Sequence, residues 1–135
     1  MAGARLQVRQ ATARPASRLA LLRTVLALHA VGVAFQAIFA GLFLSGGDGS
    51  VRWHEEAGWI VAAICLAQIL IAAILRIPRK ALLPFLLSSI LILLAELLQA
   101  GTGYARFLSV HVPLGVFIFG GVIAQMVWIS LGATE

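Results

Sequence analysis

Residues 53–68 read WHEEAGWIVAAICLAQ, and residues 110–125 read VHVPLGVFIFGGVIAQ. In both, a His is followed four residues on by Gly and fourteen on by Gln, with Ala just before the Gln. His54, Gly58, Ala67 and Gln68 thus match His111, Gly115, Ala124 and Gln125 at a constant offset of 57. The surrounding apolar runs extend from Ala57 to Leu75 and from Val110 to Leu131. A helix rises about 1.5 Å per residue, so roughly 20 apolar residues cross a hydrocarbon layer about 30 Å thick. Both runs have that length, which makes each a membrane-crossing helix.

The rest of the chain agrees. Of its 135 residues, 61% are hydrophobic and 11% charged, and the mean hydropathy is +1.03. Soluble domains average about 45–50% apolar and about 25% charged. One small domain cannot hide this much apolar surface from water. Two further apolar runs, Leu19 to Leu44 and Ala81 to Ala100, bring the total to four. Strands are excluded, because an open sheet in lipid leaves backbone groups unpaired. The expected fold is all-α: a transmembrane four-helix bundle over residues 19–131, with helices at about 19–45, 55–76, 81–103 and 108–131.

The formal charge of +5 does not indicate nucleic acid, because the basic residues flank the apolar runs instead of forming one patch. Arg5, Arg9, Arg14, Arg18 and Arg23 open the chain, and Arg76, Arg79 and Lys80 lie in RIPRK between the second and third runs. Only Arg52 and Arg106 fall on the other side. The positive-inside rule then makes residues 1–18 a basic cytoplasmic tail, places both termini in the cytoplasm and assigns the chain to the cell membrane. The tail arginines also suit anionic lipid. The first apolar run is too long for a signal peptide and no small-residue cleavage site follows it, so an uncleaved anchor is expected. Pro78 ends the second helix, and Gly46, Gly47, Asp48 and Gly49 make an outer turn. Cys65 has no second Cys to pair with and reads as a small packing residue.

Gln36-Ala37 near the end of the first helix resembles Gln99-Ala100 near the end of the third, at an offset of 63. With the His frame, this makes the chain two repeated helix hairpins. Helices two and four both run inward from the outer surface. The repeat therefore puts His54 and His111 at one depth, facing each other diagonally across the bundle. At about 100° per residue, His54, Gly58, Cys65 and Gln68 share a stripe, as do His111, Gly115, Val122 and Gln125. Polar groups in lipid are costly unless paired, so these stripes face the interior.

Two imidazoles meeting at one depth suit the two axial positions of a haem iron. Gly58 and Gly115, one turn inward, would let a flat macrocycle lie close to the backbone. Arg52 and Arg106 are the outer cations for its propionates, with Trp53 and Tyr104 as hydrogen-bond partners. The competing reading is interfacial packing by two ordinary histidines. Zinc would need more ligands, which Glu55 and Glu56 supply only from different helix faces. His29 is expected to be a buried His bonded to a carbonyl or to Gln125; a second site or a proton path is the alternative. Glu96 is either an intramembrane functional carboxylate or a partner of Arg106. Gln36 and Gln99 are expected to bond across the bundle as cross-helix glue, with a bound ligand as the alternative, and Gly32, Gly120 and Gly121 to offer close-contact surfaces within the bundle or between copies.

The helix pairs, with a His at the outer start of helices two and four, resemble one half of haem A synthase over Leu19 to Leu131. What carries over is a His pair suited to haem at His54 and His111. The pattern departs where Glu55 and Glu56 follow His54, so haem-modifying chemistry does not carry over. The stretches FQAIFAG, HEEAG and SVHVPLG also resemble an uncharacterised family of short bacterial four-helix membrane proteins. Three functions stay open, none of them enzymatic: a b-type haem protein for electron transfer or redox sensing, a cofactor-free accessory subunit, and a small proton-coupled transporter using His29 and Glu96. The expected partners are the lipid bilayer and either further copies or a larger membrane complex, with no nucleic acid.

Overall fold

A computed structural model describes residues 2–75 and 79–131, with side chains at 19–75 and 81–131. It is all-helical: α1 (Ala2–Leu44), α2 (Ser50–Leu75), α3 (Arg79–Tyr104) and α4 (Leu108–Leu131). Within them, Leu19–Leu44, Ser50–Leu75, Ala81–Tyr104 and Leu108–Leu131 are each long and apolar enough to cross a membrane. At most 28% of any of these spans is buried inside the protein. The large apolar side chains that remain outside, such as Leu44, Ile74, Phe117 and Leu131, belong in lipid. The protein is a multi-pass membrane four-helix bundle.

Two boundaries differ from the sequence reading. The α1 backbone is helical from Ala2; the tail is polar, but its Ala, Arg and Gln are good helix formers, and polarity sets depth, not conformation. Helix α2 starts at Ser50, so Arg52, Trp53 and His54 stand on helix and not in a loop. Pro78, which the sequence made the stop of α2, lies outside the described residues, as do the side chains of the tail and of Arg76, Arg79 and Lys80.

The α1–α2 and α3–α4 turns share one end of the bundle, labelled outer, and are built alike. After α1, the Gly46 N–H donates to Phe43 O (3.0 Å) and the Gly47 N–H to Leu42 O (2.9 Å). After α3, the Arg106 N–H donates to Gly103 O (2.9 Å) and the Phe107 N–H to Thr102 O (2.8 Å). Each is a Schellman closure around one left-handed residue: Gly46 at φ 80° and Arg106 at φ 55°. Gly46 takes that conformation without strain, and Arg106 does not.

Each helix packs against two neighbours: α1 on α2 and α4, and α3 on α2 and α4. α2 and α4 are therefore diagonal, and so are α1 and α3. One apolar cluster holds Ala30, Val33, Val61, Cys65, Ile92, Ile118 and Val122. A second, toward the opposite end, holds Leu22, Leu26, Ala72, Phe85 and Ile129. The buried polar side chains His29, Gln68, Ser89 and Gln125 sit at the level between them, and Glu96, one turn beyond Ile92 on α3, reaches His29. Near the inner end, Arg23 Nη2 donates to Ser130 O (3.2 Å), placing a cation on the last carbonyls of α4.

Candidate functional site

The outer level is built by the two His frames. The His54 and His111 rings come from diagonal helices and meet with centroids 5.9 Å apart at an interplanar angle of 63°. His54 Nδ1 lies 3.1 Å from Gln36 O, and His111 Nδ1 lies 2.8 Å from Gln99 O. A carbonyl only accepts, so the His111 contact puts the hydrogen on Nδ1 and leaves Nε2 as the nitrogen with a lone pair. His54 Nδ1 also lies 3.1 Å from the Gln36 amide nitrogen, which only donates, so its two partners call for opposite tautomers. Each His is thus steered by the Gln of the helix preceding its own.

The His111 ring rests on Gly103, where a Cβ would come within 2.9 Å of Cε1 and 3.1 Å of Nδ1. Gly103 was not singled out in the sequence. The signal for it was its place one turn beyond Gln99, on the face that receives the ring. The glycines in the His frames are not bare. Gln99 Nε2 would lie 2.8 Å from a Cβ on Gly115, and the Gln36 amide faces Gly58. In the amide orientation that satisfies both ends, Gln36 Nε2 donates to His54 O (3.0 Å) and Oε1 accepts from the Gly58 N–H (2.9 Å). The Gln36 side chain bonds across to the backbone of α2, and the Gln99 side chain lies against Gly115 of α4. Gln99 Oε1 is buried with no partner among the described residues.

Around this level the polar groups pair locally. Arg52 Nε donates to Glu56 Oε1 at 2.6 Å on an exposed face. The Tyr104 hydroxyl donates to Glu55 and accepts from Trp59 Nε1 (3.3 Å). Trp53 stacks edge-on to Phe39. Arg106 is exposed on the α3–α4 turn. Glu55 and Glu56 are both exposed and turned to these neighbours, so they do not join the histidines in a metal set.

The deeper level is one hydrogen-bonded network. His29 Nε2 lies 2.6 Å from Glu96 Oε1 and Nδ1 lies 3.0 Å from Gln68 Oε1. This corrects two expectations: Glu96 pairs with His29 and not with Arg106, and His29 bonds Gln68 and not Gln125. A buried carboxyl finds the partner at its own depth, and Arg106 lies a helix end away. The Gln68 oxygen only accepts, so Nδ1 carries a hydrogen, and one further proton lies between Nε2 and Glu96. Gln68 Nε2 donates to Ser89 Oγ (3.2 Å) and to Gln125 Oε1 (3.3 Å). Gln125 Nε2 donates to Ser88 Oγ and Ser89 Oγ, both at 2.7 Å. Gln68 and Gln125 thus form a second rung across the α2–α4 diagonal, below the His rung. Cys65 Sγ sits beside them, 3.5 Å from Ser89 O. Ser88 and Ser89 were missed in the sequence, although they are adjacent hydroxyls inside an otherwise aliphatic span.

Among the glycines, Gly32 seats α1 on α2, with Val61 Cγ2 3.0 Å from its Cβ position, and Gly121 faces Ile92. Both serve packing within the bundle, and Gly120 is open.

Two imidazoles sharing one metal at about 2 Å each have ring centres roughly 6 Å apart, which the observed 5.9 Å matches. The carbonyl bonds at Nδ1 are the outer partners that metal-bound His ordinarily has. His54 and His111 are the residues that would hold the iron of a haem, and the Gln36 and Gln99 amides cover the glycine faces beside them. The fold and its polar interior define a multi-pass, all-α membrane protein. Comparisons with protein families, with curated proteins and with solved structures find no match.

Proposed function

We propose that the chain is a cell-membrane protein that holds one b-type haem between His54 and His111, for electron transfer or redox sensing. The supporting observation is the diagonal imidazole pair, with ring centroids 5.9 Å apart and both Nδ1 atoms beside backbone carbonyls. When bound, haem supplies one-electron redox chemistry. The chain presents the two half-buried imidazoles as ligands and sets the His111 tautomer through Gln99 O. Arg106 is the exposed cation for a propionate; Arg52 joins it by leaving Glu56. The repeated His, Gly and Gln frame supports the reading of two related hairpins, and the eight-to-two split of basic residues supports cytoplasmic termini. The test is a reduced-minus-oxidised visible spectrum of the purified protein expressed with haem supplied. One haem per chain is expected, lost in His54→Ala and in His111→Ala. A folded but colourless protein refutes the proposal and leaves a cofactor-free accessory subunit.

The buried His29–Glu96 pair favours a second reading, a small proton-coupled transporter. Intramembrane ionisable pairs often carry protons. Substrate-dependent proton flux into liposomes, abolished by Glu96→Gln, would establish it. Flux unaffected by that change rules it out.

A further inference from the structure

We propose that His29, Cys65 and Glu96 form a binding site for one divalent transition-metal cation in the middle of the bundle. The site is separate from the outer His pair: Cys65 stands eleven residues beyond His54, about 16 Å along α2. One ligand atom from each residue lies within 4.8 Å of the others. All three residues are buried, His29 and Cys65 completely and Glu96 to 8% exposure. Glu96 Oε2 is buried and has no partner among the described residues. A His–Glu pair kept only for packing accounts for Oε1, but it leaves that second oxygen unexplained.

The chemistry of the donors selects the ion class. Thiolate, imidazole and carboxylate together suit Zn²⁺ and its first-row neighbours, whereas Ca²⁺ and Mg²⁺ require oxygen ligands. The Gln68 oxygen holds the His29 Nδ1–H at 3.0 Å, so Nε2 is the ligating nitrogen and its orientation is already fixed, as outer-shell partners do for metal-bound His. Thiolate and carboxylate bring two negative charges, which a dication cancels. The complex is neutral, and a low-dielectric interior tolerates a neutral complex far better than a charged one. The cation replaces two protons, one from the thiol and the one shared by His29 and Glu96. Three protein ligands leave a fourth tetrahedral position for water. Bond lengths of about 2.0–2.3 Å set the donors roughly 3.5 Å from one another, so the His29–Glu96 contact at 2.6 Å opens by about 1 Å while more distant donors close in.

The probe is Co²⁺ added to the purified full-length chain in detergent. One cobalt per chain is expected, with a thiolate-to-cobalt charge-transfer band in the near ultraviolet. Cys65→Ser removes the band, and Glu96→Gln weakens binding at least tenfold. The double variant His54→Ala/His111→Ala retains the band, which separates this site from the proposed haem site. X-ray absorption at the zinc edge of the wild-type chain, which does not depend on any variant folding, should show one sulfur at about 2.3 Å and the remaining ligands nitrogen or oxygen. A helical wild-type chain that takes up no cobalt or zinc, a band that survives Cys65→Ser, or a zinc shell without sulfur overturns the proposal.

Discussion

Replacing Gly103 with Ala tests the outer site without touching either histidine. The added methyl would stand 2.9 Å from His111 Cε1 and 3.1 Å from Nδ1. It presses on the flat of a ring and not on the end of a flexible chain. The ring is tethered at Nδ1 to Gln99 O at 2.8 Å, so relief means breaking that bond or separating α3 from α4. Overpacking costs about 1–3 kcal/mol and a lost hydrogen bond about 0.5–1.5, against a helix-propensity gain of up to about 1 kcal/mol for Gly→Ala. The net expectation is a loss of about 1–3 kcal/mol. Gly101→Ala, two residues away, is the control: nothing lies within 4 Å of its Cβ position, so only the propensity gain remains. Thermal unfolding in detergent, followed by circular dichroism at constant protein and detergent concentration, should lower the Gly103→Ala midpoint and leave that of Gly101→Ala equal to or above wild type. Equal midpoints for the two variants would mean that His111 does not rest on Gly103, and the outer geometry would be wrong.

His29→Leu leaves the Glu96 carboxyl buried without its partner and should cost roughly 3–5 kcal/mol, whereas His29→Leu/Glu96→Leu should recover most of that loss. A double variant no better than the single one would show that the two side chains are not coupled. Arg106→Gly relieves a left-handed residue at φ 55° and should raise stability by about 1 kcal/mol. A drop in the same unfolding assay would show that the Arg106 side chain stabilises the turn by more than its backbone strain.

The sequence exposes what hydrophobicity and local spacing encode. The four spans follow from run length, and α4 matches its expected bounds of 108–131. The diagonal meeting of His54 and His111 follows from a repeat read at constant offset. The helical reach of α1 back to Ala2 was hidden because apolarity reports membrane depth and says nothing of helix in a polar tail. The His29–Glu96 pair was hidden for another reason. The offset that matches Gln36 with Gln99 puts Ile92 opposite His29, so the repeat itself points away from Glu96. The available clue was energetic: two deep ionisable groups on the parallel, diagonal helices α1 and α3 seldom stay unpaired in lipid. The covering of Gly58 and Gly115 by Gln36 and Gln99 depends on side-chain rotamers, which spacing does not specify.

The measurement closest to the main assignment is electron paramagnetic resonance of the oxidised, purified protein at low temperature. Both imidazoles on a single iron predict a six-coordinate, low-spin ferric signal, converted to high spin when either His54 or His111 becomes Ala. A wild-type signal that is high spin, or a low-spin signal indifferent to both substitutions, would show that these rings do not share an iron.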